Sequence, residues 1–167
     1  RAALSSGLSE GGIVMWRFNG YALTCPEGGI RGARSGGRPG NSPKVTYGPD
    51  GLSECLPEGL YLILRREFVE IKDEKGYYND PGMYLPEKNE GWFVPLRPLF
   101  YTERGTPEKG RFGIHPDGEA PGTNGCIGVF SGDYAKLLLL LVRGSFCTHL
   151  EVKYSCCCVT PSVYAGR

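Results

Sequence analysis

Short apolar runs alternate with polar or glycine-containing breaks along the chain. Ile13-Val14-Met15-Trp16-Arg17-Phe18 reads as a strand. Asn19-Gly20 follows at once and is the preferred pair for a two-residue type I′ turn, so Tyr21 to Cys25 is expected to return as the partner strand. Leu60 to Leu64, bounded by turn signals, fits a buried strand, and the alternating Phe68 to Lys72 fits the next one. Asp73 to Gly76 reads as a turn. Trp92 to Leu96 reads as an edge strand, because Pro95 has no N–H to give to a ladder. Arg111 to His115 and Thr148 to Tyr154 are the remaining strands. A single segment reads as helix: Ser131-Gly132-Asp133 offers cap residues, Tyr134 to Val142 holds good helix formers, and Gly144 supplies a stop. Its leucines lie all round, so it is expected to be buried. The pattern predicts about seven strands and one helix in a single mainly-β domain.

Composition sharpens this picture. The 167 residues include 26 glycines and 13 prolines, far too many for a helix bundle, and no Gly-X-Y period is present. A hydrophobic share of 40% is enough to build a core. Much of the glycine falls in residues 26–44, read as a long solvated loop with Arg31, Arg34, Arg38 and Lys44. Residues 76–90 resemble an insertion carrying Tyr77, Tyr78 and Tyr84. With Trp16 and Trp92, these aromatics are expected in core and rim. Residues 1–12 read as an N-terminal tail, 13–154 as the domain, and 155–167 as a Cys-rich C-terminal tail.

Charge excludes more than it suggests. The formal net charge is +1, so no global basic field gathers nucleic acid. The longest apolar run, Leu137 to Val142, is far short of the roughly 20 residues needed to span a bilayer. No signal peptide is visible at Arg1-Ala2-Ala3-Leu4.

There are seven cysteines, an odd number, so internal pairing leaves at least one thiol. Cys25 and Cys55 pair if their strands adjoin, and Cys156-Cys157-Cys158 suit a disulfide-bonded tail. Neither Cys147-x-His149 nor the C-terminal triplet has common zinc-ligand spacing, so no metal or other cofactor is expected.

The sharpest segment runs from Gly113 to Val129. A histidine, His115, ends a strand, a glycine-rich loop follows, and Cys126 stands behind Gly125. A nucleophilic cysteine needs a base, backbone N–H groups aimed at an oxyanion, and room for a carbonyl to approach. His115 can be the base. Gly125 permits positive φ and puts no Cβ in the way. The structural alternative is a small buried core thiol beside a strand-end histidine.

This segment resembles the L,D-transpeptidase (YkuD-like) catalytic domain, whose signature is a histidine, a loop, Ser/Thr-x-Gly-Cys, an apolar residue, usually Arg, and a helix-opening acid. Thr123-Asn124-Gly125-Cys126-Ile127 fits the centre, and Asp133 stands where the acid belongs. Leu56-Pro57-Glu58-Gly59-Leu60-Tyr61-Leu62-Ile63 is similar to the family's strand entry, and Leu150-Glu151-Val152 to its closing strand. The resemblance spans about residues 13–154. It departs at Gly128, where the family has Arg, at Asn124, where it has His, and in a shorter His-to-Cys spacing. These departures are similar to divergent members, including type VI secretion effectors and phage-associated relatives.

The resemblance implies a β-sandwich with one short buried helix after the cysteine. It implies Cys126 as nucleophile, His115 as base, and the backbone N–H groups of Gly125 and Cys126 as oxyanion donors. Thr123, Asn124 and Arg111 are implied as substrate contacts, with Arg97, Arg31, Arg34 or Arg38 as further stand-ins for the missing arginine. A backbone carbonyl is the expected orienter of His115; Asp117 is expected in a solvated turn. The implied substrate is a peptidoglycan stem peptide, the implied setting periplasmic or extracellular, and the implied vehicle a secretion apparatus or phage particle. A non-catalytic β-rich wall-binding or virion domain is the rival reading. A papain-like peptidase is disfavoured because here His precedes Cys and the Cys sits in a glycine loop.

Overall fold

The computed structural model describes residues 14–37, 53–72, 83–88, 90–105, 110–117, 122–130, 134–144 and 147–155. The expectations for the 1–12 tail, Arg38, Lys44, the 73–76 turn, Tyr77, Tyr78, the Ser131-Gly132-Asp133 cap and Cys156 to Cys158 lie outside these residues.

The chain is mainly β, with a nearly closed sheet and one short α-helix. The eleven described strands are β1 (Trp16–Phe18), β2 (Ala22–Cys25), β3 (Gly28–Arg31), β4 (Ala33–Ser35), β5 (Gly59–Ile63), β6 (Val69–Glu70), β7 (Tyr84–Leu85), β8 (Glu90–Pro98), β9 (Phe112–Pro116), β10 (Ile127–Val129) and β11 (His149–Val152). Their order is β3-β2-β1-β11-β5-β8-β9-β10-β4, with β6 and β7 attached to β8. The N–H groups of Gly32 and Ala33 donate to the Tyr21 carbonyl, drawing the end of the sheet back toward its beginning.

The first hairpin forms, but its turn differs from expectation. Phe18 pairs with Leu23, so the connection is longer than a two-residue turn. Asn19 Oδ1 accepts from the N–H groups of Tyr21 and Ala22 and closes the reversal through its side chain. Residues 26–44 are not simply a loop. Cys25 pairs with Gly28 across Pro26-Glu27, β3 runs back along β2, and β4 pairs with β10. Glycine lowers strand propensity without forbidding strand geometry, and here the ladders supply what the side chains do not.

Two further expectations are corrected. The strand holding Pro95 is central: β8 lies between β5 and β9. Its proline is tolerated because β5 ends at Ile63, so the absent N–H falls at the ladder's end. The Pro95 carbonyl there still accepts from the Leu64 N–H at 2.9 Å. The leucine-rich helix α1 (Tyr134–Leu139), continued by a π-helical turn over Leu140–Gly144, is not buried all round. Leu137 and Leu141 are buried whereas Leu139 is 53% exposed, because only one side meets the sheet. Likewise β5 alternates, burying Tyr61 and Ile63 while Leu60 faces outward. Among the described residues no helix is long and apolar enough to cross a membrane.

The main core gathers Trp16, Phe18, Tyr61, Trp92, Phe112 and Ile114 with the aliphatic residues of β8 to β11. A smaller cluster on the other side of β8 holds Ile71, Met83, Tyr84, Phe93 and Cys126. Two tyrosines bind the strand entry to the core. Tyr61 donates its phenol to the Pro57 carbonyl and Tyr154 donates to the Leu56 carbonyl, each at 2.7 Å. Burial pushes Tyr154 up to about 12, aided by nearby Glu58 and opposed by a hydrogen bond from Ser35. Burial, with a smaller contribution from Tyr154, also pushes Tyr61 well up.

Both folded-state values exceed the unfolded value of about 10, so the unfolded chain ionises first as pH rises. Stability is therefore complete below pH of about 10 and falls as pH climbs through about 12. Urea unfolding across this range is expected to show the decline, and Tyr154→Phe to make it shallower. At neutral pH the same substitution should cost about 1 kcal/mol, the value of one net hydrogen bond.

Candidate active site

His115 lies in β9 and Cys126 immediately precedes β10. The two strands are parallel, with Ile114 opposite Ile127 and His115 opposite Gly128. Residues paired across a ladder share a face, and so do residues two apart along a strand. Continued by one step, the same register sets Cys126 beside Gly113. His115 and Cys126 are thus diagonal neighbours on one face, and both positions between them are glycine.

Phe93 anchors that face. It is the cross-strand neighbour of His115 by the β8–β9 register, and its ring stacks on the imidazole at 6.1 Å and 19°. It also belongs to the apolar cluster around Cys126. A Cβ at Gly113 would run into the Phe93 ring, so this position must be glycine for the ring to sit there. A Cβ at Gly128 would meet Thr123 Cγ2 at 2.7 Å and Asp117 Cβ at 2.8 Å. An arginine has no room at this position.

Nδ1 of His115 lies 2.7 Å from the Pro116 carbonyl. A carbonyl only accepts, so Nδ1 carries the proton and Nε2 is left with the lone pair. The orienter is therefore a backbone carbonyl. The imidazole is buried, and Cys126 is 6% exposed, with its thiol 3.8 Å from the Arg111 carbonyl.

The loop before Cys126 is tied at several points. Thr123 Oγ1 donates to the Cys126 carbonyl at 2.6 Å and accepts from the Gly36 N–H at 3.0 Å. The Thr123 N–H donates to the Gly36 carbonyl, and Ser53 Oγ donates to the Thr123 carbonyl. Thr123, proposed from sequence as a substrate contact, is buried and its hydroxyl is engaged in holding the loop. Gly125 has φ of +82°, which an L side chain rarely adopts. Asn124 is half-buried; among the described residues its Oδ1 has no hydrogen-bond partner.

The basic residues distribute differently from the sequence expectation. Arg111 contributes its backbone carbonyl to the thiol, while its guanidinium pairs with Glu67 at 2.9 Å. Arg97 and Arg31 are exposed on β8 and β3. Arg34 is directly opposite Gly128 on β4, lies 2.5 Å from Asp117 and stacks over Phe130 at 4.1 Å. Asp117 is consequently not in a solvated turn; it is buried, and it also accepts the Gly122 N–H. Sequence reasoning missed Arg104. Its Nη2 donates to the Asn124 carbonyl at 2.6 Å, its guanidinium lies over Phe112, and a Cβ at Gly125 would meet its Nη1 at 2.9 Å. No motif signals Arg104, which comes from a loop remote in sequence.

The expected Cys25–Cys55 pairing does not form. Cys55 is disulfide-bonded, while Cys25, Cys126 and Cys147 stand as thiols. Cys25 ends β2 and meets the segment before β11 instead. His149 turns to the Thr148 hydroxyl, away from any cluster with Cys147.

A scan against protein-family models finds no match, and searches of curated proteins and of solved structures find none either.

Two substitutions test this architecture. Arg34→Ala leaves Asp117 charged and buried, and should cost roughly 3 kcal/mol in denaturant unfolding. Gly128→Ala overpacks the Thr123–Asp117 contact and should cost about 1–3 kcal/mol.

Proposed function

We propose that the chain is a cysteine acyltransferase acting on peptidoglycan stem peptides, as an L,D-transpeptidase or L,D-carboxypeptidase in a periplasmic or extracellular setting. The observation that carries this reading is the β9–β10 register, which sets His115 and Cys126 on one face with glycines between them. The pinned Nδ1–H of His115 supports it, since it leaves Nε2 to act as base. The peptidoglycan substrate rests on the motif resemblance.

In this mechanism Nε2 takes the Cys126 proton. The thiolate attacks the carbonyl at the L-centre of diaminopimelate in a stem tetrapeptide. Backbone N–H groups of Gly125 and Cys126 hold the oxyanion, and the imidazolium returns its proton to the departing D-Ala amine. The acyl-enzyme then meets an amine, giving a new cross-link, or water, giving the shortened peptide. Arg104, at the Asn124 carbonyl, and Arg34, at Asp117, are the described cations we assign to the place of the resemblance's arginine toward a substrate carboxylate.

A specific observation favours a second reading. Cys126 is nearly buried among Ile71, Met83, Tyr84 and Phe93, as a structural thiol would be. In that reading the domain is a non-catalytic wall-binding or virion module.

Muropeptide digestion read by mass spectrometry separates the two. Loss of D-Ala marks the carboxypeptidase outcome, and dimer mass marks the transpeptidase outcome. A carbapenem adduct on wild-type protein, absent in Cys126→Ala, is expected. His115→Ala should slow adduct formation roughly a hundredfold or more. Unchanged tetrapeptides together with no adduct would sink the enzyme reading.

A further inference from the structure

Away from His115 and Cys126, three ligand-type side chains converge. Cys25 ends β2, Glu27 occupies the turn into β3, and Cys147 precedes β11. One ligand atom from each lies within 4.8 Å of the other two. Cys147 Sγ stands 3.6 Å from Glu27 Oε2. Zinc bonds of about 2.3 Å to sulfur and about 2.0–2.2 Å to oxygen place ligand atoms of one tetrahedral ion roughly 3.5 Å apart. The spacing therefore suits a shared ion with little movement.

The surroundings suit it as well. Pro26 and Glu27 make a tight reversal in which Cys25 pairs with Gly28, so Cys25 and Glu27 are held on a short, hydrogen-bonded hairpin. The Arg65 guanidinium donates to the Cys147 carbonyl and fixes the backbone of the third ligand. Cys147 is 1% exposed, Cys25 is half-buried and Glu27 is exposed, so the cluster runs from core to solvent. Glu27 gives the cluster its exposed side.

We propose that Cys25, Glu27 and Cys147 bind a thiophilic divalent cation of the zinc class, with water as fourth ligand. Two thiolates select for zinc, cadmium or cobalt over magnesium and calcium, which prefer oxygen. Bound there, the ion joins the β2–β3 hairpin to the chain entering β11. Thiol protons leave on binding, so the ion is held by thiolates.

The test titrates the full chain, kept anaerobic, with cobalt(II) and then zinc. Equimolar cobalt should give an intense thiolate-to-metal charge-transfer band that zinc abolishes. Cys25→Ser and Cys147→Ser should lose the band, and Cys126→Ser should keep it. Because Cys147 is buried and its substitution can disturb folding, Glu27→Gln in the exposed turn is the second variant. It should weaken zinc affinity about tenfold and shrink the zinc-dependent rise in unfolding temperature. A band retained in both Cys25→Ser and Glu27→Gln, no band in wild type, or a resting Cys25–Cys147 disulfide seen by peptide mapping would each overturn the proposal. Muropeptide turnover is a separate readout, so failure here leaves the reading of Cys126 untouched.

Discussion

Parallel strands cannot be joined by a tight turn, and the pairing of β9 with β10 therefore needs a connection across residues 117–126. That requirement governs the site. The connection has few apolar side chains, so polar anchors must hold its ends. Asp117 is fixed at the start by its N–H to the Val129 carbonyl and by Arg34. Thr123 is fixed near the end by Gly36, Ser53 and the Cys126 carbonyl. These partners lie on or next to β4 and β10, or at Ser53, so the anchors of the loop depend on β4 closing the sheet against β10. Cys126 is positioned by long-range assembly, and its own neighbours in sequence are not enough.

Burying charge beside such a loop has a cost. An ion pair with one partner almost fully inside recovers its desolvation only if the remaining lone pairs are satisfied. Asp117 Oδ2 accepts from the Gly122 N–H as well as facing Arg34. The guanidinium of Arg34 also covers Phe130, which adds contact that lysine would not provide. Arg104 plays the matching role on the other flank, donating to the Asn124 carbonyl while lying over Phe112. Two cations thus bracket the loop, Arg34 at Asp117 and Arg104 at Asn124.

Much of this was legible in the sequence wherever apolar periodicity was present. The strands around Trp16, Leu23, Tyr61, Trp92, Ile114 and Leu150 all announce themselves by pattern. β3 did not, because Gly28 and Gly29 carry no side chain to make a period, and β4 did not, because Ala33–Ser35 is too short to show one; their strand character comes from partners on β2 and β10. Pro95 misled for a related reason. Its missing N–H is a local fact, but whether that N–H was needed depends on where β5 stops. In the candidate site, His115 and Cys126 were readable from motif. Asp117 was named but misread as solvated, since its partner Arg34 lies in a stretch taken for loop. Arg104 left no local trace.

Cys126 combines burial with a motif that suggests reactivity, and the ladders indicate how both can hold. Its apolar cover includes Ile71 just beyond β6, and Met83 and Tyr84 at β7. Those strands pair with β8 over two residues each, whereas β8 pairs with β5 and β9 over three and continues into the main core. Segments with few ladder bonds and few core contacts open at the lowest free energy. The other wall, Phe93, belongs to central β8 and is locked against Gly113 and His115. In the proposed acyltransferase reading, a carbonyl would reach Cys126 from the β6–β7 side, because opening the opposite wall would break the register that makes His115 and Cys126 neighbours. The same division places the pair on central strands and its apolar cover on two-residue strands.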